Sequence, residues 1–425
     1  MAVTLERSSW PDSACDQGGL SSRAAAEAYV GGVCFKLGPP TLIGAELEWL
    51  TAGPTGARPT LHQLTSALGP HAPTSLAPAS PAFPLPGGSA VTIEPGGQIE
   101  LSSAPFADPM ELTRQLRADA ARLRELLATS DITVTAAAAD AHRPAERLLR
   151  LPRYAAMERA FAGIGPFGAL MMCNTAATQV SVDAGADAAQ VRARWTALYV
   201  LGPALIAAFA CSPTLHGIPC GDWASQRMRT WLRLDPARTR PPVSDWAEPI
   251  TSYARWALDV PLLCVRCTEP EADWSPPPGA TFADWLSGAL DDEVGRRPTR
   301  ADLDYHLTTL FPPVRASGHL EVRYLDTQPG ESWTTPIHLF DALLSTPEVV
   351  AEATALAAPV AGEWATAARC GLLDPQVRRV AVEVLELAAD HARTPAAAQE
   401  LADAAQRCRQ ARSPVDKLNG TDGPR

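Results

Sequence analysis

Residues Glu94–Ser102 read Glu-Pro-Gly-Gly-Gln-Ile-Glu-Leu-Ser, directly after Ser-Ala-Val-Thr-Ile at 89–93. The alternation of Val91, Ile93, Ile99 and Leu101 with polar residues is that of a β-strand, in which successive side chains point to opposite faces. Glutamate is depleted in strands, yet two glutamates and a glutamine sit around this Pro-Gly-Gly break. The break is expected to be a bulge or tight turn within an extended stretch, 89–103. It re-aims Glu94 relative to Glu100 and lets a ligand approach the backbone.

Three other stretches repeat the design. In Gly44–Leu50, Glu46 and Glu48 share a face opposite Leu47 and Trp49. In Thr178–Asp183, Gln179, Ser181 and Asp183 lie opposite Val180 and Val182. In His319–Asp326, Glu321 and Arg323 lie opposite Leu320, Val322 and Tyr324. A solvated sheet face alternates in the same way, so any one of these strands is unremarkable. Together they contain no lysine, and the chain's only lysines are Lys36 and Lys417. If the four strands adjoin, carboxylates crowd on one face and repel unless a cation lies among them. Oxygen donors in number suit Mg²⁺ or Mn²⁺ rather than zinc. A magnesium-lined sheet without a P-loop points to nucleotide triphosphate chemistry, with arginines complementing the phosphates. Arg227, Arg229, Arg233, Arg238 and Arg240 cluster in Ser225–Arg240, and guanidinium forks suit phosphate and carboxylate.

The rest of the sequence sets the frame. Helices are expected at 21–35, near 60–68, from an Asp108 cap to about 128, and at 153–162, 187–210, 222–233 and 302–310. From 336 to 409 the pattern is helical and Ala-rich. Short strands are expected at 131–137 and 259–267, and 170–183 reads as extended. Mixing without regular β-α-β alternation favours α+β over a doubly wound sheet. With no linker evident, one domain spans 21–409, between a loose N-terminus at 1–20 and a polar tail at 410–425.

Several functions are set aside. A net charge of −11 argues against a nucleic-acid partner. The uncharged run Trp195–Leu215 is long enough to cross a membrane, but Gly202-Pro203 interrupts it and a buried core helix is expected. No signal peptide opens the chain, which places the protein in the cytoplasm. Nine scattered cysteines do not form a disulfide framework. Cys264 and Cys267 have C-x-x-C spacing without the second ligand pair that zinc needs. Gly163–Gly168 matches G-x-G-x-x-G, but a helical segment precedes it where a strand is required.

Six segments occur in order: IGAELEWLT (43–51), IEPGGQIELSSAP (93–105), RYAAMERAF (153–161), MMCNTAATQVSVD (171–183), SQRMRTWLRLDPARTR (225–240) and TLFPPVRASGHLEVRYLD (309–326). Together they resemble glutamate–cysteine ligases of the plant and proteobacterial type. The similarity is greatest to the actinobacterial branch that supplies γ-glutamylcysteine for ergothioneine. The resemblance implies a curved antiparallel sheet akin to glutamine synthetase, with helices outside and the site in the bowl. It implies that ATP phosphorylates the γ-carboxylate of L-glutamate and that the L-cysteine amine then displaces phosphate. Glu46, Glu48, Glu100 and Glu321 match metal ligands. Glu94, Gln98 and Gln179 match positions near the metal and nucleotide. Arg323 and Arg227 match arginines facing the transferred phosphoryl group or the substrate. Met171, Met172 and Thr175 match the lining of the glutamate site. The plant enzymes' redox disulfides have no match here. Other amines as acceptor, and a non-catalytic metabolite sensor on the same fold, are the alternative readings.

Overall fold

The computed structural model describes residues 20, 22–218, 223–240, 247–267 and 272–417. The expected loose segment 1–20 lies outside them apart from Leu20. So do Cys15, Cys220 and the end of the polar tail.

Seven strands build one sheet: β1 (Ile43–Ala52), β2 (Ala90–Ile93), β3 (Ile99–Ser102), β4 (Thr133–Thr135), β5 (Thr178–Val182), β6 (Val314–Ala316) and β7 (Leu320–Val322). The order is β2-β3-β1-β5-β7-β6, with β4 on the far end of β1, and every pairing is antiparallel. The sheet is open, since β2 and β6 end the row. This is the α+β architecture that the four polar-faced strands predict, and all four are present.

One face of the sheet is the core. Ala45, Leu47, Trp49, Ile99, Leu101, Val180, Val182, Val314, Leu320 and Val322 are buried there. Helices Pro109–Ala128 and Thr334–Leu343 pack against β1, and the latter also against β5. The first is capped as expected: the Asp108 carboxylate accepts from the Met110 N–H at 3.0 Å. The uncharged run at 195–215 falls in helix Ala188–Phe209 and just beyond it, and residues 201–209 of that helix are buried throughout. Among the described residues no helix is long and apolar enough to cross a membrane.

Two expectations need correction. The 170–183 stretch is not extended throughout: Phe167–Asn174 is a helix and only 178–182 is strand. Its apolar residues surround the helix, so they show no stripe to betray it. The Gly163–Gly168 segment thus joins two helices, which again excludes a dinucleotide fingerprint. Residues 259–267 form no strand. Leu262, Leu263, Cys264 and Val265 are buried, and the backbone bonds only at separate points, Leu262 N–H to Ala280 O and Val265 N–H to Trp274 O, both 2.8 Å. An apolar run signals burial, not ladder pairing.

Candidate active site

The other face of the sheet carries the polar residues, and the register decides which of them meet. Glu48 pairs with Glu100 and Glu46 with Ser102 across β1 and β3. Glu46 also pairs with Gln179 on β5, and Ser181 pairs with Glu321 on β7. Directly opposed residues in an antiparallel pair lie on one face. A single row therefore runs Thr92, Glu100, Glu48, then Glu46 and Gln179, then Ser181, Glu321 and Arg315. Carboxylates 275 residues apart in sequence become neighbours.

The Pro-Gly-Gly break is a hairpin turn between β2 and β3. Gly97 N–H donates to Glu94 O and Glu94 N–H to Gln98 O, both at 2.8 Å. Gly97 has φ +88°, the left-handed conformation such a turn needs at no steric cost to glycine. Gly96 is required for another reason: a Cβ there would lie 2.5 Å from the Cα and O of Cys173. The half-buried Arg58 holds this contact. It donates to Gly96 O (3.1 Å), Cys173 O (3.1 Å) and Asn174 Oδ1 (2.6 Å). Glu94 is thereby aimed back over the face, where its charge acts on Glu48 and Glu100.

The electrostatics separate the four candidate metal ligands into two groups. Burial, reinforced by Glu94 in both cases, raises Glu48 and Glu100 to about 8. Burial, Glu100 and Glu321 push Glu46 well above the carboxylate range. Glu321 goes the other way. Burial alone would raise it, but Arg315 and Arg323 outweigh burial and hold it at about 2. Arg315 meets Glu321 at 2.7 Å, and Arg323 lies closer still on its other oxygen. Gln179 Nε2 donates to Glu46 (3.1 Å) and Glu48 (2.9 Å), and the Ala177 N–H also donates to Glu48, at 2.8 Å. Glu100 accepts from Thr92 at 2.6 Å.

Opposite this row lies helix Gln226–Leu234. Arg227 is 2 % exposed; its Nη2 donates to Arg323 O at 2.6 Å. The guanidiniums of Arg227 and Arg323 both lie over the Trp231 ring, at 5.7 and 5.6 Å from its centroid. Several buried polar atoms here have no hydrogen-bond partner within the protein: Gln98 Oε1, Gln179 Oε1, Ser181 Oγ, Arg227 Nε and Arg323 Nε. Such atoms are costly to bury, and their gathering on one face marks a ligand surface.

The remaining candidates divide. Gln98 Nε2 donates to Thr175 O (2.9 Å) and Met172 O (3.3 Å), tying the turn to the end of helix 167–174. Met172 is buried in an apolar cluster with Met157, Phe161 and Phe311, while Met171 is only partly buried against it. The Met172 side chain is core packing, and Met171 lies at the edge of the same cluster. Thr175 spends its hydroxyl proton on Met171 O at 2.8 Å. Of the arginine cluster, Arg238 is structural, bonded to Asp235, Thr309 and Pro261, and Arg233 and Arg240 are exposed. Asp183 accepts from the backbone of Thr41 and Leu42 at the sheet's end. The sequence reading overlooked Arg315 and Asp326. Arg315 alternates with Val314 and Ala316 on β6, opposite Glu321 in the register, and was legible by the same period of two. Asp326 lies past the strand end, where no period points to it.

A resident divalent cation can be tested against this donor set. The donors are all hard oxygens, burial and then neighbouring carboxylates raise three carboxyl groups above the usual range, a bias that a cation would relieve, and two amide oxygens lack a protein partner. Among the described residues, no three acidic, imidazole or thiol groups converge tightly enough to chelate as they stand. The chemistry fits, with Glu46, Glu48 and Glu100 as the core of the set.

Comparison with known proteins agrees with the fold. The sequence profile of glutamate–cysteine ligase family 2 (GCS2) matches residues 42–423. The chain is 38% identical to glutamate–cysteine ligase EgtA of Mycolicibacterium smegmatis over 410 residues, 94% of this chain and 92% of that protein. It is 36% identical to EgtA of Mycobacterium tuberculosis, over 91% and 88% of the two chains. A crystal structure of glutamate–cysteine ligase from Francisella tularensis in complex with AMP is similar in fold, with a TM-score of 0.52 and 13% identity over 91% of this chain and 86% of that one.

Proposed function

The chain belongs to glutamate–cysteine ligase family 2, and from that premise we propose that it joins the γ-carboxyl of L-glutamate to the amine of L-cysteine at the expense of ATP, through a γ-glutamyl phosphate, yielding γ-glutamylcysteine for ergothioneine formation. The observation that carries this reading is the polar face itself: a row of crowded glutamates beside two arginines seated on Trp231, with buried polar atoms on both that have no protein partner. A face of that kind suits a ligand that brings both phosphate and cationic charge.

In this reading Glu46, Glu48 and Glu100 hold Mg²⁺ or Mn²⁺. Glu321, paired to Arg315 and Arg323, would complete the set as a fourth ligand. When bound, the cations neutralise phosphate charge and orient the γ-phosphoryl group for transfer. Arg323 and Arg227 stabilise the charge that builds on the transferring group; their shared seat on Trp231 fixes them before substrate arrives. Gln179 and Glu94 orient the carboxylates on either side, and Gln98 anchors the turn beside the nucleotide. Met171, Thr175 and the Arg227 guanidinium border the glutamate. No membrane or nucleic-acid partner enters this scheme, and the cytoplasm is its expected place.

The test is phosphate release from ATP and Mg²⁺ with L-glutamate, with and without L-cysteine, and the product identified by mass. Release requiring both amino acids, with γ-glutamylcysteine formed, is the expected result. Release indifferent to cysteine would reassign the acceptor, and no release from folded protein would refute the ligase reading.

A further inference from the structure

Asp326 is a buried carboxylate that the scheme above does not use. It follows β7 and extends that strand's path by a bridge to Ala177 beside β5. It is 2 % exposed, and three donors converge on it: Cys211 N–H at 2.9 Å, Ser212 Oγ–H at 2.7 Å and Ser225 Oγ–H at 2.8 Å. Each serine hydroxyl has one proton to give, and both are given to Asp326. Their lone pairs are then turned to the first turn of helix Gln226–Leu234. Ser212 Oγ accepts the Arg227 N–H at 3.2 Å, and Ser225 Oγ, the N-cap, accepts the Met228 N–H at 3.0 Å.

We infer that Asp326 is a positioning residue for the transfer site, fixing the Arg227 guanidinium against the strand end that carries Glu321 and Arg323. The inference rests on the ligase reading proposed above. Arg227 sits at the second helical position, so the place of its backbone sets where its side chain starts. From there the guanidinium has one strong protein bond, to Arg323 O, and a weak one to the Met228 sulfur at 3.5 Å. The Trp231 ring on which it rests belongs to the same helix, so the aim of the guanidinium follows the helix start, and the helix start depends on Asp326. The anion also favours the helix N-terminus through the helix dipole. The same segment secures the opposite wall: Thr327 Oγ1 donates to Glu48 O at 2.8 Å. Stability alone does not call for a buried carboxylate here, because a carboxylate is costly to bury and apolar packing would serve. Orientation of two functional walls does.

Asp326→Asn tests this, because the amide replaces an acceptor with a donor, so a serine hydroxyl can no longer give its proton there and must reorient against the helix N–H it accepts. The measurement is kcat/KM for glutamate-dependent ADP formation in wild type, Asp326→Asn, Arg227→Ala and the double variant, beside the Tm of each. Misplacing a catalytic group by about 1 Å costs on the order of 100-fold. Asp326→Asn should lose about that factor in the wild-type background and less than about threefold beside Arg227→Ala, as expected for residues acting through one another. A purely structural role would lower kcat/KM by the same factor in both backgrounds, and that result, or wild-type turnover in Asp326→Asn, overturns the inference. Ser225→Ala removes one link of the relay and is the variant to use if Asp326→Asn does not fold; it should lose about tenfold and be silent beside Arg227→Ala. Wild-type protein without glutamate-dependent turnover would sink the ligase reading itself, and is told apart from the other outcomes at the first measurement.

Discussion

Replacing Glu100 by Gln should make the metal-free protein more stable while abolishing its activity. Glu100 is held at about 8 by burial and by the charges of Glu94 and Glu48, against about 4.3 in an unfolded chain. A carboxyl whose folded value is raised supports the fold fully below the unfolded value. That support is lost progressively as pH rises toward 8 and is constant above it. At pH 7.5 the unfolded chain releases this proton almost completely while the folded chain retains it, a cost of about 4 kcal/mol for a fully independent group. Because Glu48 and Glu100 titrate together, only part of this falls to Glu100 itself, on the order of 2 kcal/mol. Glutamine reproduces the neutral form and escapes the cost. For a chain of this length, about 2 kcal/mol corresponds to a rise in Tm of about 2 °C. Scanning calorimetry in EDTA should show that rise at pH 7.5 and almost none at pH 4.5. Millimolar Mg²⁺ should stabilise wild type more than the variant, and the variant should lose turnover by at least about 100-fold. A fall in Tm at pH 7.5, or a gain that does not grow with pH, would refute the electrostatic argument. Retained turnover would remove Glu100 from the metal set.

The other substitutions act in different directions. Glu321→Gln takes the partner from Arg315 and Arg323 and leaves two enclosed guanidiniums unpaired, a loss of about 3 kcal/mol by urea denaturation; unchanged stability would contradict the pairing. Because Glu321 is held at about 2, its contribution is present above about 4.3 and disappears as pH falls toward 2, the reverse of Glu100. Gly96→Ala drives a Cβ into the Cys173 backbone and should cost about 2 kcal/mol and displace Glu94, seen as a lower Tm together with a raised KM for ATP. Arg58→Met frees the same turn from helix 167–174 without a clash, so it should reproduce the KM change with its own loss of stability; a normal KM in both variants would show that the turn does not serve the nucleotide.

The sheet face was legible because alternation with period two survives in any strand with one buried face, and the β1, β3, β5 and β7 residues Glu46, Glu48, Glu100, Gln179 and Glu321 all obey it. The limits were physical too. Phe167–Asn174 is apolar on every side, and at that length a buried helix and a buried strand share one pattern. Leu262–Val265 is buried without a ladder partner. Met172 was assigned to the substrate site by resemblance, where its packing among Phe161 and Phe311 depends on contacts between segments far apart. Asp326 acts through Ser212 and Ser225, more than 100 residues away in sequence, and no local pattern records such a relay.

The strand order has a consequence for how the protein is made. Glu46 and Glu48 wait on β5 for Gln179, and β5 waits on β7 for Glu321, so the face is complete only after about residue 328 has left the ribosome. Pairings this distant in sequence close late and slowly. Until then the growing chain exposes a half-formed edge at β5, a surface open to wrong partners. Ligands that need every strand cannot reward any fragment. They hold the finished sheet as a unit, so their protection against proteolysis should appear in one step, when β7 docks, and not gradually along the chain.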